Sequence, residues 1–122
     1  PVITSRDRKS IGAERTYQTD IYNLPEIREK LSEVIEIMWG RCKAKNKRGK
    51  TITLKVRYSD FITITRSHTQ GHPYTRAETE QTLMELLPEE EIQSKGVRLL
   101  GTTMTNFYND DKNLPKQLKI DF

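Results

Sequence analysis

The chain has 122 residues, enough for one domain around one modest hydrophobic core and too few for two independently packed units. Charged residues make up 31% and apolar residues 34%, and no apolar run approaches a membrane span, so the expectation is a soluble globular domain with no membrane partner. The net charge of +4 is unevenly placed, with 15 Lys/Arg against 8 Asp/Glu in residues 1–75 and 6 against 9 in residues 76–122, a bias that favours a polyanionic partner without establishing one.

The opening Pro1-Val2-Ile3-Thr4 lacks an initiator methionine, which leads us to expect a piece of a longer protein. Residues 1–8, with the basic run Ser5-Arg6-Asp7-Arg8, suit an interdomain tether, and residues 9–108 are expected to form the folded domain. Lys9 to Tyr17 reads as a first strand. Leu24, Ile27, Leu31, Val34, Ile35, Met38 and Cys42 recur at helical spacing behind a capping Asn23 and a first-turn Pro25, with Glu26, Glu29, Lys30, Glu33 and Glu36 on the solvated side. A lysine-rich loop follows. Thr51 to Tyr58 then alternates between apolar Ile52, Leu54, Val56 and polar Thr53, Lys55, Arg57. Ser59-Asp60 makes a short turn into Phe61 to Ser67, placing Ile62 and Ile64 inward and Thr63, Thr65 and Ser67 outward.

Thr75 and Glu78 have capping-box spacing ahead of Ala77, Leu83, Met84 and Leu87, a second helix stopped near Pro88. Glu89-Glu90-Glu91 is simplest as a solvated run. Val97 to about Phe107 is a last strand in which Gly101 would permit a bulge. The order β-α-β-β-α-β predicts an α+β fold: a four-stranded antiparallel sheet with two helices packed on one face and the other face open. Residues 109–122 read as a polar linker and a mobile tail.

No catalytic constellation is visible, and no catalytic residue, metal ligand or cofactor is expected in this fragment. His68 and His72 stand four apart, but Gly71 and Pro73 break the helix that would align them on a metal. Cys42 lies on the apolar stripe with no second cysteine, which fits a buried packing role and a reducing, cytoplasmic compartment.

The open sheet face would display Lys55, Arg57, Thr63, Thr65, Ser67 and Arg98, with Lys9 and Ser10 at the start of the first strand. Guanidinium and ammonium groups among small hydroxyls suit phosphate oxygens, although half-exposed sheets routinely place Thr, Ser and Lys outside. Three blocks sharpen this reading: residues 8–16 (Arg8-Lys9-Ser10-Ile11-Gly12-Ala13-Glu14-Arg15-Thr16), residues 53–67 from Thr53 through Asp60-Phe61 to Ser67, and residues 96–101 (Gly96-Val97-Arg98-Leu99-Leu100-Gly101). In order and approximate spacing they resemble the little finger domain of Y-family DNA polymerases of the polymerase IV class, over nearly the whole chain from Arg8 onward. That resemblance implies a β-α-β-β-α-β domain lying along a primer-template duplex and contacting mainly its backbone. Lys9, Ser10, Arg57, Thr63, Thr65 and Arg98 would be phosphate contacts. It also implies a catalytic core of the same polymerase as partner, whose palm, absent from this chain, would hold the metal-binding carboxylates and their Mg2+. Ala13 stands where members often carry a basic residue, and residues 90–94 are acidic or neutral where some relatives are basic, so the number of phosphate contacts stays open.

The terminal Gln117-Leu118-Lys119-Ile120-Asp121-Phe122 resembles the bacterial sliding-clamp-binding motif. Leu118, Ile120 and Phe122 would enter an apolar cleft while Gln117 bonds at its rim. A different class of function is a generic α+β module that binds RNA or protein. RNA-binding sheets usually expose aromatics for base stacking on their central strands, where this sequence has Thr and Lys.

Overall fold

Period-two alternation in the central strands and a helical stripe at residues 27–42 decide which way the layers face. The computed structural model describes residues 10–107. Its elements are β1 (Ser10–Ile21), α1 (Leu24–Ala44), β2 (Gly49–Tyr58), β3 (Thr63–Thr69), α2 (Arg76–Glu85), α3 (Glu89–Lys95) and β4 (Val97–Phe107). The four strands form one antiparallel sheet in the order β1-β4-β2-β3, so the last strand of the chain is central and β1 and β3 are the edges.

Ile52, Leu54, Val56 and Tyr58 from β2 and Leu100 and Met104 from β4 join the stripe of α1 in one core, to which Tyr74, Leu83 and Ile92 add. The first helix starts as expected: Asn23 Oδ1 accepts from Glu26 N at 2.9 Å, and Pro25 sits in the first turn. Arg41 and Lys43 fall in the last turn, where cations complement the helix dipole. The second helix has its capping box, with Thr75 and Glu78 each accepting from the other's backbone N–H at about 3 Å. Helix α1 packs on β1 and β4 and α2 on β2, so the sheet is covered from one side.

Several expectations change. The described residues contain three helices, not two, because the acidic run at Glu89 begins α3. Its Ile92 is fully buried, Glu89 pairs with Arg28 at 2.7 Å, and Glu91 accepts from Tyr58 Oη at 2.9 Å. The first strand continues past Tyr17 to Ile21. Ala77 is exposed, and Thr79, fully buried, takes its place against the core. Ile62 does not face inward but is 52% exposed. The hairpin turn runs through Phe61 and Ile62 rather than closing at Asp60: Phe61 N donates to Tyr58 O, Ile62 N to Asp60 Oδ1, and Phe61 takes a positive φ of 67°. Ile64 does face the core side, opposite Val56. Gly101 sits in regular register; the β2–β4 irregularity falls between Arg57 and Tyr58 and leaves Arg98 as the extra residue.

Candidate nucleic-acid interface

Directly paired residues of antiparallel strands share a face, so the register aligns the side chains opposite the helices. They form the rows Ser10–Thr105–Thr51–Thr69, Gly12–Thr103–Thr53–Ser67, Glu14–Gly101–Lys55–Thr65 and Thr16–Leu99–Arg57–Thr63. The result is a sheet face dominated by hydroxyls, with Lys55 and Arg57 two residues apart near its middle. Of the residues expected here, Ser10, Lys55, Arg57, Thr63, Thr65 and Ser67 are brought together on this face. Lys9 lies outside the described residues, as do Gln117, Leu118, Ile120 and Phe122.

The hydroxyls are organised by bonds across the hairpin. Thr51 and Thr69 share a hydrogen bond of 2.8 Å, Thr53 and Ser67 another of 2.8 Å, and Arg57 Nε donates to Thr63 Oγ1 at 3.0 Å. Such pairs limit side-chain freedom while leaving oxygen lone pairs and the remaining guanidinium N–H groups available to a ligand. Lys55 Nζ lies 3.3 Å from Glu14 Oε1, reaching across β4 at the glycine of that row.

Arg98 does not join the rows in register. Its Nε donates to Asp20 Oδ1 at 3.0 Å, and its guanidinium carbon lies 5.4 Å from the centre of the Phe61 ring, tying β4 to the end of β1 and to the hairpin turn. Sequence reasoning missed Thr103 and Thr105 because a bulge assumed at Gly101 left the downstream facing of β4 open. It also missed Glu14, which alternates in phase with Ser10 and Gly12 and was legible from that phase.

The other candidate groups have structural partners. His68 Nδ1 lies 2.5 Å from Tyr74 Oη, and His72 Nε2 lies 3.2 Å from Glu78 Oε2. Among the described residues no group of three or more His, Cys, Asp or Glu side chains converges as a metal site would require. Cys42 is fully buried beside Met104, and burial pushes its thiol up to about 11, far from a reactive thiolate at neutral pH. Among the described residues no helix is long and apolar enough to cross a membrane.

A sequence profile of the impB/mucB/samB family C-terminal domain matches residues 8–120. The DNA polymerase IV of Gluconobacter oxydans is 35% identical over 127 residues, covering all of this chain and 35% of that protein. The DNA polymerase IV of Streptococcus pyogenes serotype M3 is 43% identical over 111 residues, covering 87% of this chain and 29% of that protein. The chain thus spans about a third of the length of the curated relatives it matches. Among solved structures, a Y-family DNA polymerase chimera superposes with a TM-score of 0.72 at 19% identity, covering 83% of this chain and 29% of the other. The little finger domain of PolIV, in a complex with the beta-clamp processivity factor, superposes with a TM-score of 0.61 at 22% identity, covering 93% of this chain and 100% of the other.

Proposed function

The chain belongs to the impB/mucB/samB C-terminal domain family, and on that premise we propose that it is the little finger of a bacterial DNA polymerase IV, gripping a primer-template duplex through its open sheet face. The observation that carries this reading is the alignment of Lys55 and Arg57 with rows of Thr and Ser hydroxyls on the face that no described helix covers. Cations among short hydroxyls suit phosphate oxygens, and Thr and Ser side chains are too short to reach far into a groove, so the grip is mainly on the backbone and reads little sequence. A domain that holds DNA in this way supports sliding and tolerates distorted templates. The sheet rows offer no aromatic to stack an unpaired base, which argues against an RNA-binding module of the aromatic-sheet type.

Catalysis belongs, in this proposal, to a polymerase core outside the chain, with the palm's carboxylates holding Mg2+ there. The domain itself contributes position and grip and works in the cytoplasm. Gln117, Leu118, Ile120 and Phe122 serve as a short linear anchor for the bacterial sliding clamp, supported by their spacing and by the clamp complex of a structurally similar domain.

One titration tests the grip. With roughly four to six phosphates neutralised, log K for duplex DNA falls against log salt with a slope of about −4 to −5, and duplex competes better than single strand of the same sequence. A slope near zero, or a preference for single strands, would sink the reading. The anchor is tested by calorimetry of the clamp against the chain with and without residues 117–122. Heat that survives the deletion unchanged rules the tail out as the anchor.

A further inference from the structure

Glu14 is the one carboxylate in the four rows of the open face, and it stands where a phosphate-binding surface gains least from a negative charge. Its position is built rather than incidental. Lys55, Gly101 and Glu14 share a row across three strands, and because Gly101 has no side chain, Lys55 reaches over β4 to within 3.3 Å of the carboxylate. A Cβ at Gly101 would come 3.1 Å from Glu14 Cβ, and one at Gly12 would come 2.7 Å from Thr102 O. The two glycines leave a depression of about 400 Å³, walled by Ser10, Glu14, Lys55 and Thr103 and bounded on one side by Arg41, whose Nη1 donates to Gly12 O at 2.6 Å.

We infer that Glu14 is a built-in competitor for Lys55, occupying the ammonium group in the free domain and giving way when a phosphate of the duplex seats in the depression. The inference rests on the proposed duplex-binding role of the sheet. A phosphodiester oxygen presents the same charge and the same acceptor chemistry as the carboxylate, so the two anions contend for one cation. The Lys55 and Glu14 side chains are 38% and 53% exposed, and an ion pair that open to water is weak enough to exchange. Once displaced, the carboxylate remains near the phosphate and opposes it. Glu14 therefore holds the grip below what the cations alone would produce, as suits a domain that must release and re-form its contacts while the duplex moves.

The test is duplex binding by the whole 122-residue chain and its Glu14→Gln, Lys55→Gln and doubly substituted forms, across a salt series, with amide spectra to verify that each variant is folded. E14Q is expected to tighten binding about three- to fivefold at low salt, in the range of a single exposed charge pair. It should also steepen the salt slope, by up to about 0.9, because the charge of Lys55 on the phosphate is no longer offset by a neighbouring carboxylate. In the K55Q background the same substitution should produce a smaller gain. Wild-type binding that E14Q leaves unchanged or weakens would overturn the inference while leaving the sheet as a DNA contact. A wild-type chain that does not bind duplex would overturn the sheet reading first and this inference with it.

Discussion

Glu78 shows how one side chain organises a loop that anchors in the core only through Tyr74. Its Oε1 accepts from Thr75 N and from Gln70 Nε2, both at 3.0 Å, and its Oε2 lies 3.2 Å from His72 Nε2, so it caps α2 and pins the loop from residue 70 to residue 75. These bonds, that from the Thr75 backbone foremost, hold its carboxyl down from the ordinary 4.5 to about 2. A carboxylate depressed in the fold stabilises the folded state above the ordinary value, and that contribution is lost as pH falls from about 4.5 toward 2. We therefore expect Glu78→Gln to be less stable than wild type at pH 6 and the gap between them to narrow by pH 2.5, as read by urea unfolding at both pH values. A gap that does not change with pH would show that the carboxylate's charge has no part in holding the loop. Tyr58 is a second such residue. Fully buried on the core side of β2, it donates to Glu91 Oε1, and burial together with that bond raises its pKa. Lys95 lies 5.2 Å from the centre of its ring.

At the scale of elements, those that carry their own signals were legible. Asn23 and Pro25 opened α1, the Thr75–Glu78 box opened α2, and strict alternation from Ile52 to Tyr58 fixed the two faces of β2. The hydroxyl face of the candidate site followed from that alternation, since Thr63, Thr65 and Ser67 pair with Arg57, Lys55 and Thr53. Elements held by distant partners were not legible. Helix α3 is seven residues long with one buried side chain, and its first turn is tied by Arg28 from α1 and Tyr58 from β2, which no local pattern announces. Tyr74 lies in a stretch that reads as loop, yet it is fully buried in the core, where its hydroxyl is satisfied by donating to His68 O across the turn. Trp39, four residues beyond Ile35, completes the buried stripe of α1. Ile62 went wrong for a local reason: the aspartate bond of an Asx turn and the positive φ at Phe61 lengthen the turn and release the next side chain to solvent.

At the scale of the whole molecule, the topology separates stability from contact. The core lies between the helices and one face of the sheet, and the rows lie on the other, so substitutions among Thr53, Lys55, Arg57 and Thr65 should alter binding with little effect on folding. Gly49 tightens the arrangement from the far end. A Cβ there would fall on the Thr105 carbonyl, which keeps β2 and β4 close where Phe107 closes the core. The basic excess of residues 1–75 adds a long-range attraction that salt screens, whereas the rows determine where a duplex rests. The most direct measurement of the central claim is an amide chemical-shift map of the chain titrated with a short duplex. The account predicts shifts concentrated at Thr53, Lys55, Arg57, Thr63, Thr65 and Ser67, with α1 and α2 quiet. Shifts concentrated on the helices, with the sheet rows unmoved, would contradict it.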